Sequence, residues 1–363
     1  MNNDKYNFDI VIIGAGIIGL AIAEKLSKSF NNILIIEKED KFGQHVSSRN
    51  SEVIHSGIYY PEDSLKSKLC IRGNKLLYEF INKNNIPYKN CGKLIISSDD
   101  SENEKLYKLF LKGVNKNLDG LKYLTANEAK KIEPNVKCEN AIWVPSSGIM
   151  DSHKVMQKLE YNYISNNGNI VYKTSVKNIS YNGSLFNIVT DSEESVRSEI
   201  LINATGLWSD KISSMLGIDH LKIHYCKGEY YKTNKYRNLN CLIYPLPSDV
   251  SLGIHTAIQL NGDVFFGPNA YYVDDIDYSI DELNKESFLN NINKYLDIKS
   301  SDIWPDFCGI RPKLQAKGEQ FEDFYIKNEN SEKVKDFINL LGIDSPGLTS
   351  SLAIAEYVES LIV

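Results

Sequence analysis

The sequence predicts an α/β chain, α+β overall, in which a Rossmann-like dinucleotide domain is interrupted by an antiparallel sheet. Three observations lead there. Asp9-Ile-Val-Ile-Ile-Gly14-Ala-Gly16-Ile-Ile-Gly19 is an apolar strand, a glycine-punctuated turn and a helix start, and Asn32-Ile-Leu-Ile-Ile-Glu37 is a second apolar run ending in an acid. Together they read as a βαβ unit that holds a dinucleotide. Strand-and-turn pieces of the same kind return only much later, at Glu199–Gly206 and Asn339–Thr349. Between them, residues 223–275 alternate apolar and polar, as an antiparallel sheet does.

In the βαβ unit Gly14 permits the tight turn, Gly16 lets the backbone approach a pyrophosphate and Gly19 lets helix and strand pack closely. The helix start directs free N–H groups at the phosphates. Glu37 can accept hydrogen bonds from ribose hydroxyls and would repel a 2′-phosphate, which disfavours NADP. At this point NAD and FAD both remain open. A polar loop, Gln44 to Tyr60, follows, then a helical period over Ser64–Ile81 with apolar residues at 65, 69, 76, 77, 80 and 81. A strand is expected near Cys91–Ile96 and a charged helix near 101–117. Thr125 and Glu128 form a capping box for a short helix that Pro134 ends. Another helix starts after Asp151, two short strands fall within Gly168–Ile179, and a strand–turn–strand pattern fills 181–191. The expected division is a cofactor domain of residues 1–87, 148–219 and 304–363, with a substrate domain of 88–147 and 220–303.

A chain of 363 residues, 24% charged and 42% hydrophobic, has the composition of a folded globular protein. Its net charge of −6 and the lack of a basic run with interleaved aromatics argue against nucleic acid as a partner. Met1-Asn-Asn-Asp has no basic n-region and no apolar run reaches the length of a membrane span. A cytoplasmic protein is expected, with peripheral contact on the inner face of the membrane left open. Cysteines 70, 91, 138, 226, 241 and 308 show no metal-ligand spacing, so reduced thiols and no metal are expected.

Three later stretches favour FAD over NAD. Asn203-Ala-Thr-Gly206 ends an apolar strand in residues small enough to pass beside a dinucleotide. Asp306-Phe-Cys-Gly309-Ile-Arg311-Pro-Lys313 comes next, and Pro346-Gly-Leu-Thr349 opens an amphipathic helix over Ser350–Leu361. A helix start there would stabilise the negative charge of a reduced flavin. With Asn50-Ser-Glu-Val-Ile-His55-Ser-Gly-Ile-Tyr-Tyr60, Ser64–Cys70, Cys91-Gly-Lys-Leu94, Lys227–Tyr231, Ile243–Pro247, Gly253-Ile-His255 and Gly267–Ala270, the chain resembles the glycine-oxidase/D-amino-acid-oxidase superfamily of FAD-dependent oxidoreductases. Within it, the resemblance is to the L-2-hydroxyglutarate dehydrogenase/oxidase branch. It implies a two-domain flavoprotein that oxidises a small 2-hydroxy acid and passes electrons to oxygen, a quinone or another acceptor. It also implies cofactor contacts at Gly14, Gly16, Ile17, Ile18, Gly19, Glu37, Lys38, Ser48, Asn50, Ser51, Val176, Ala204, Thr205, Gly206, Gly309, Arg311, Pro346, Gly347, Leu348 and Thr349.

Oxidising a secondary alcohol beside a carboxylate needs hydride transfer from C2 to flavin N5, a base for the hydroxyl proton and cations for the carboxylate. Histidine suits the base. Of six histidines, His55 in the polar loop and His255 in Leu252-Gly-Ile-His-Thr256 stand in suitable contexts. His45, His153, His220 and His224 are read as structural or surface residues. Arg311 is the first carboxylate-binding candidate because its planar fork is bidentate, followed by Arg49, Tyr59 and Lys313. Tyr60, Tyr230 and Tyr231 serve packing or hydrogen bonding equally well. The loop Ser48-Arg49-Asn50-Ser51-Glu52 departs from the Gly-His-Asn-Ser-Gly of the hydroxyglutarate branch. Arg49 either binds a second anion or pairs with Glu52. An amino acid, a secondary amine, glycerol 3-phosphate, or flavin binding without turnover are the competing expectations.

Overall fold

The computed structural model describes residues 7–247, 253–331 and 334–362. Met1–Asp4 and Leu252, used in the sequence reading, lie outside them. The apolar runs become the centre of an eight-stranded sheet. Asn7–Ile13 lies parallel to Ile33–Ile36 on one side and to Ser195–Asn203 on the other, with Asn169–Val171 and Phe337–Leu341 extending the parallel set. Helices Ile17–Leu26, Ser152–Ser165 and Gly347–Ile362 pack together beside it. Ile10–Ile13 and Ile33–Ile36, at its centre, are uninterrupted in Ile, Leu and Val because both faces of a parallel sheet are buried. Val176–Tyr181 and Phe186–Thr190 form a hairpin that pairs antiparallel with the first half of Ser195–Asn203. The two strand-like pieces expected within 168–179 and the 181–191 pattern therefore resolve into three strands of one sheet.

Local signals behave as their chemistry dictates. The Ser64 hydroxyl caps Leu65–Lys83, accepting from the Ser67 N–H at 3.1 Å. Thr125 and Glu128 make the reciprocal capping box of Ala126–Ile132, and Asp151 caps Ser152–Ser165. The charged region near 101–117 is helix Asn103–Asn115.

Two placements depend on distant partners. Ile303–Lys313, expected among the cofactor segments, is hydrogen-bonded antiparallel along His224–Thr233. It thus belongs to the second sheet, with His255–Ile258, Val264–Gly267 and Tyr271–Val273. Leu242–Pro245, expected inside that antiparallel sheet, instead pairs in parallel with Lys93–Ile96 in a separate four-stranded sheet. All six cysteines are free. Among the described residues no helix is long and apolar enough to cross a membrane.

Candidate active site

A cavity of about 420 Å³ lies where the two large sheets meet. It extends from the helix start at Gly16–Ile18, past the loop Val46–Val53, to the helix start at Pro346–Leu348. Each end is a helix N-terminus, whose first-turn N–H groups have no intrahelical acceptor.

The glycine loop is held from both sides. Gly14 adopts φ +103°, and a Cβ there would stand 2.7 Å from the Ala204 carbonyl oxygen. A Cβ on Gly19 would collide with the Gly14 carbonyl, so this glycine lets the helix start fold back on its own turn. Glu37 is buried and accepts from the Ala15 N–H at 2.6 Å and the Glu39 N–H at 2.9 Å. The Ile17 N–H donates to the Ser47 hydroxyl at 3.0 Å. Ser47, not among the expected cofactor residues, thus stands at the helix start, while the hydroxyl of Ser48, expected to contact the cofactor, turns to the His45 carbonyl.

Other expected cofactor residues are spread unevenly. Gly16, Ile17, Ile18, Asn50, Ser51, Ala204, Gly206, Gly309, Arg311, Pro346, Gly347 and Leu348 line the cavity. Thr205 does not, and its hydroxyl donates to Asn203. The Lys38 ammonium lies 3.0 Å from the centre of the Trp208 ring. Val176 sits in the hairpin, opposite Thr190, away from the cavity wall. Thr349 is fully buried and its hydroxyl is already engaged, accepting from the His55 N–H at 3.0 Å and donating to the Val53 carbonyl at 3.3 Å. It ties the polar loop to the helix start.

His255 and Arg311 face the same cavity. His255 stacks on Tyr244, ring centres 3.7 Å apart and planes at 11°. Its Nδ1 lies 3.1 Å from the Thr256 carbonyl. A carbonyl only accepts, so Nδ1 carries the proton and Nε2 keeps a lone pair. Burial, with help from Lys93 and Arg311, lowers the His255 pKa to about 3 against the pull of the Thr256 carbonyl, so the imidazole is neutral. His55 is also held well below its ordinary value, first by burial and then by Lys93 and His255, and its Nδ1 has no partner.

Arg311 donates to the Asn269 carbonyl at 3.2 Å and to the Cys226 sulfur at 3.5 Å, and makes no ion pair among the described residues. Gly228, on the neighbouring strand, leaves room for its guanidinium. Arg49 does not pair with Glu52. Its Nη1 donates to the Cys308 carbonyl at 3.3 Å and its guanidinium stacks 4.1 Å from the Tyr278 ring centre. Its own carbonyl crosses directly over Gly309, where no Cβ would fit. Glu52 instead accepts from the Ser152 N–H and hydroxyl. Lys313 lies 3.4 Å from Asp344, which also pairs with Lys66 at 2.9 Å. Burial pushes the Asp344 carboxyl up, but the two ammonium groups outweigh it and hold the carboxyl below the usual range. Tyr59, Tyr60 and Tyr230 line the cavity, whereas Tyr231 packs on Phe288 in the core. Sequence reasoning missed Lys66, Asp344 and Lys93. The signal for Asp344 was its position two residues before Pro346, and for Lys93 its place inside Cys91-Gly-Lys-Leu94.

A dinucleotide fits this frame. The glycine turn has no side chain where a pyrophosphate would pass, and a second helix start, at Pro346–Leu348, lines the same cavity. A neutral imidazole and an arginine that makes no ion pair among the described residues complete the wall. These features are those of a dinucleotide-binding site beside a pocket for a small molecule. The model of the family described as FAD dependent oxidoreductase matches residues 9–361, and the chain belongs to that family. It is 37% identical to the mitochondrial L-2-hydroxyglutarate dehydrogenase of Arabidopsis thaliana, over 98% of this chain and 83% of that protein. It is 30% identical to a glycerol 3-phosphate dehydrogenase of Caloramator mitchellensis, over 98% of this chain and 74% of the relative. The FAD-bound L-alpha-glycerophosphate oxidase of Mycoplasma pneumoniae superposes with a TM-score of 0.89 at 25% identity, over 98% of this chain and 94% of that one. The cofactor is FAD.

Proposed function

We propose that this protein oxidises L-2-hydroxyglutarate to 2-oxoglutarate. FAD, when bound, supplies the acceptor for the hydride that leaves C2. Arg311 holds the carboxylate next to C2 through its guanidinium fork. His255 takes the hydroxyl proton at Nε2, its orientation kept by the Thr256 carbonyl and the stack on Tyr244. The carrying observation is that these two groups share one cavity, the histidine with a free lone pair and the arginine making no ion pair among the described residues. The similarity to hydroxyglutarate dehydrogenases over nearly the whole chain supports the same substrate. We assign the cofactor to residues 1–87, 148–219 and 304–363 and the substrate to 88–147 and 220–303, with strand Ile303–Lys313 belonging to the second sheet while its Gly309 and Arg311 face the cavity. The electrons then pass to oxygen, a quinone or another acceptor. The chain works in the cytoplasm, and any membrane contact is peripheral.

A second reading, oxidation of glycerol 3-phosphate, is favoured by the Caloramator and Mycoplasma relatives. Anaerobic titration of the yellow protein separates the two. Bleaching by L-2-hydroxyglutarate is expected. Bleaching by glycerol 3-phosphate alone would transfer the assignment to the second reading, and no bleaching by either would overturn both.

A further inference from the structure

Strand Lys93–Ser97 begins with a lysine that is 0% exposed. Its ammonium makes no hydrogen bond or ion pair among the described residues. It lies 4.0 Å from the ring centre of Tyr244 and 5.5 Å from that of Tyr59. The hydroxyls of Tyr59 and Tyr244 are likewise buried without a partner, as is Nδ1 of His55. Four buried polar atoms without partners among the described residues thus cluster, and no carboxylate stands among them. Tyr59 and His55 belong to the cavity wall, while Lys93 and Tyr244 form the layer behind it. The cations of the wall itself, Arg311 aside, are engaged. Lys66 and Lys313 share Asp344, and Arg49 is held by the Cys308 carbonyl and the Tyr278 ring. A buried ammonium without a counter-charge destabilises a fold, and an apolar residue would fill the space better. A buried ammonium and two phenol O–H groups, all unsatisfied, therefore point to a ligand that carries acceptors.

We propose that Lys93, Tyr59 and Tyr244 form a subsite for a second acidic group on the substrate, distal to the carboxylate held by Arg311. The enzyme is then built for dianions, with the Lys93 ammonium reaching the distal group past Tyr59. This rests on the 2-hydroxy-acid reading above. Burial lowers the Lys93 pKa to about 7. Rising pH therefore removes the subsite's charge, and affinity for a dicarboxylate declines above neutrality.

The test compares wild-type, Lys93→Met and Lys93→Arg holoenzymes. Two readouts serve: kcat/KM for L-2-hydroxyglutarate against the monocarboxylate L-2-hydroxybutyrate, and the rise in Tm produced by glutarate, which cannot be oxidised at C2. Loss of a charge-assisted contact should lower the dicarboxylate-to-monocarboxylate ratio by at least about tenfold in the Met variant. The glutarate-induced Tm rise should vanish there and partly return in the Arg variant. The Tm without glutarate should stay level or rise, because an unpaired buried charge has gone. A ratio within twofold of wild type, equal loss on both substrates, or a Met variant that fails to fold would overturn the proposal. These outcomes leave the wild-type activity on L-2-hydroxyglutarate standing, so the two readings fail separately. If the wild type is reduced only by glycerol 3-phosphate, the hydroxyglutarate reading falls. The subsite is then judged by whether inorganic phosphate binds the Met variant at least tenfold more weakly than wild type.

Discussion

Gly228→Ala tests whether the position of Arg311 governs the reaction. The substituted residue lies in His224–Thr233, opposite Gly309 on the strand that carries Arg311. A Cβ there would meet Arg311 Nη2 at 2.6 Å, the Pro268 Cβ at 2.7 Å and the Asn269 carbonyl oxygen at 2.9 Å. Ordinary contact begins near ~3.5 Å, so the guanidinium must move by roughly 1 Å. The other two neighbours are backbone or ring atoms and yield less readily, and the guanidinium also loses its seat on the Asn269 carbonyl. A misplacement of that size lowers kcat/KM by about 100-fold. The overpacking costs about 1–3 kcal/mol of stability, a Tm loss of several degrees. The assay is anaerobic stopped-flow reduction by L-2-hydroxyglutarate, with flavin content from absorbance and Tm on the same preparation. A folded variant with a full complement of flavin and a rate within threefold of wild type would refute the assignment of Arg311 to the substrate carboxylate.

His255→Ala should lower the rate on a 2-hydroxy acid by about 10²–10⁴-fold, while an amine presented as free base, if it turns over, should lose far less; equal losses would remove His255 from the proton-transfer role. Since His255 is neutral down to about pH 3, its protonation should cause no fall in kcat/KM near pH 6.5. An acid limb centred at 6.5 that disappears in the Ala variant would contradict the neutral, buried imidazole. Gly19→Ala drives a side chain into the Gly14 carbonyl, so the purified variant should lose bound flavin, and a normal flavin-to-protein ratio would exclude the collision. Asp344→Asn leaves Lys66 and Lys313 without their shared acid, which should destabilise the fold by about 3–5 kcal/mol, read by urea denaturation. The Asp344 pKa is depressed in the folded state, so its contribution is present above the unfolded carboxyl pKa and lost as pH falls through the folded one. Wild type and variant should converge in stability toward acid pH, and a gap that persists there would refute the ion-pair account.

Much of the fold was legible because the signals are local. An uninterrupted apolar run followed by closely spaced glycines can only turn and start a helix, so the first βαβ unit follows from its own residues. Hydroxyls and carboxylates at Ser64, Thr125 and Asp151 mark helix starts because they satisfy backbone N–H groups within a few residues. Part of the site was legible in the same way, since an arginine two residues after Gly309 and a histidine two after Gly253 stand in short, recognisable contexts. The choice between Ser47 and Ser48 was not legible. Both are polar loop residues, and only the folded turn shows which hydroxyl meets the Ile17 N–H.

By itself, then, the sequence determined the dinucleotide unit, the places where helices begin and the residue types able to perform a hydroxy-acid oxidation. Tertiary structure decided which distant strands pair, sending Leu242–Pro245 to run parallel with Lys93–Ile96 and Ile303–Lys313 to the second sheet. It also decided which charges are neutralised, giving Asp344 to Lys66 and Lys313 and leaving Lys93 without an acid among the described residues. The physical reason is that periodicity and capping act over a few residues. Strand pairing, burial and ion pairing depend instead on groups far apart in the chain, whose proximity exists only once the sheets have packed.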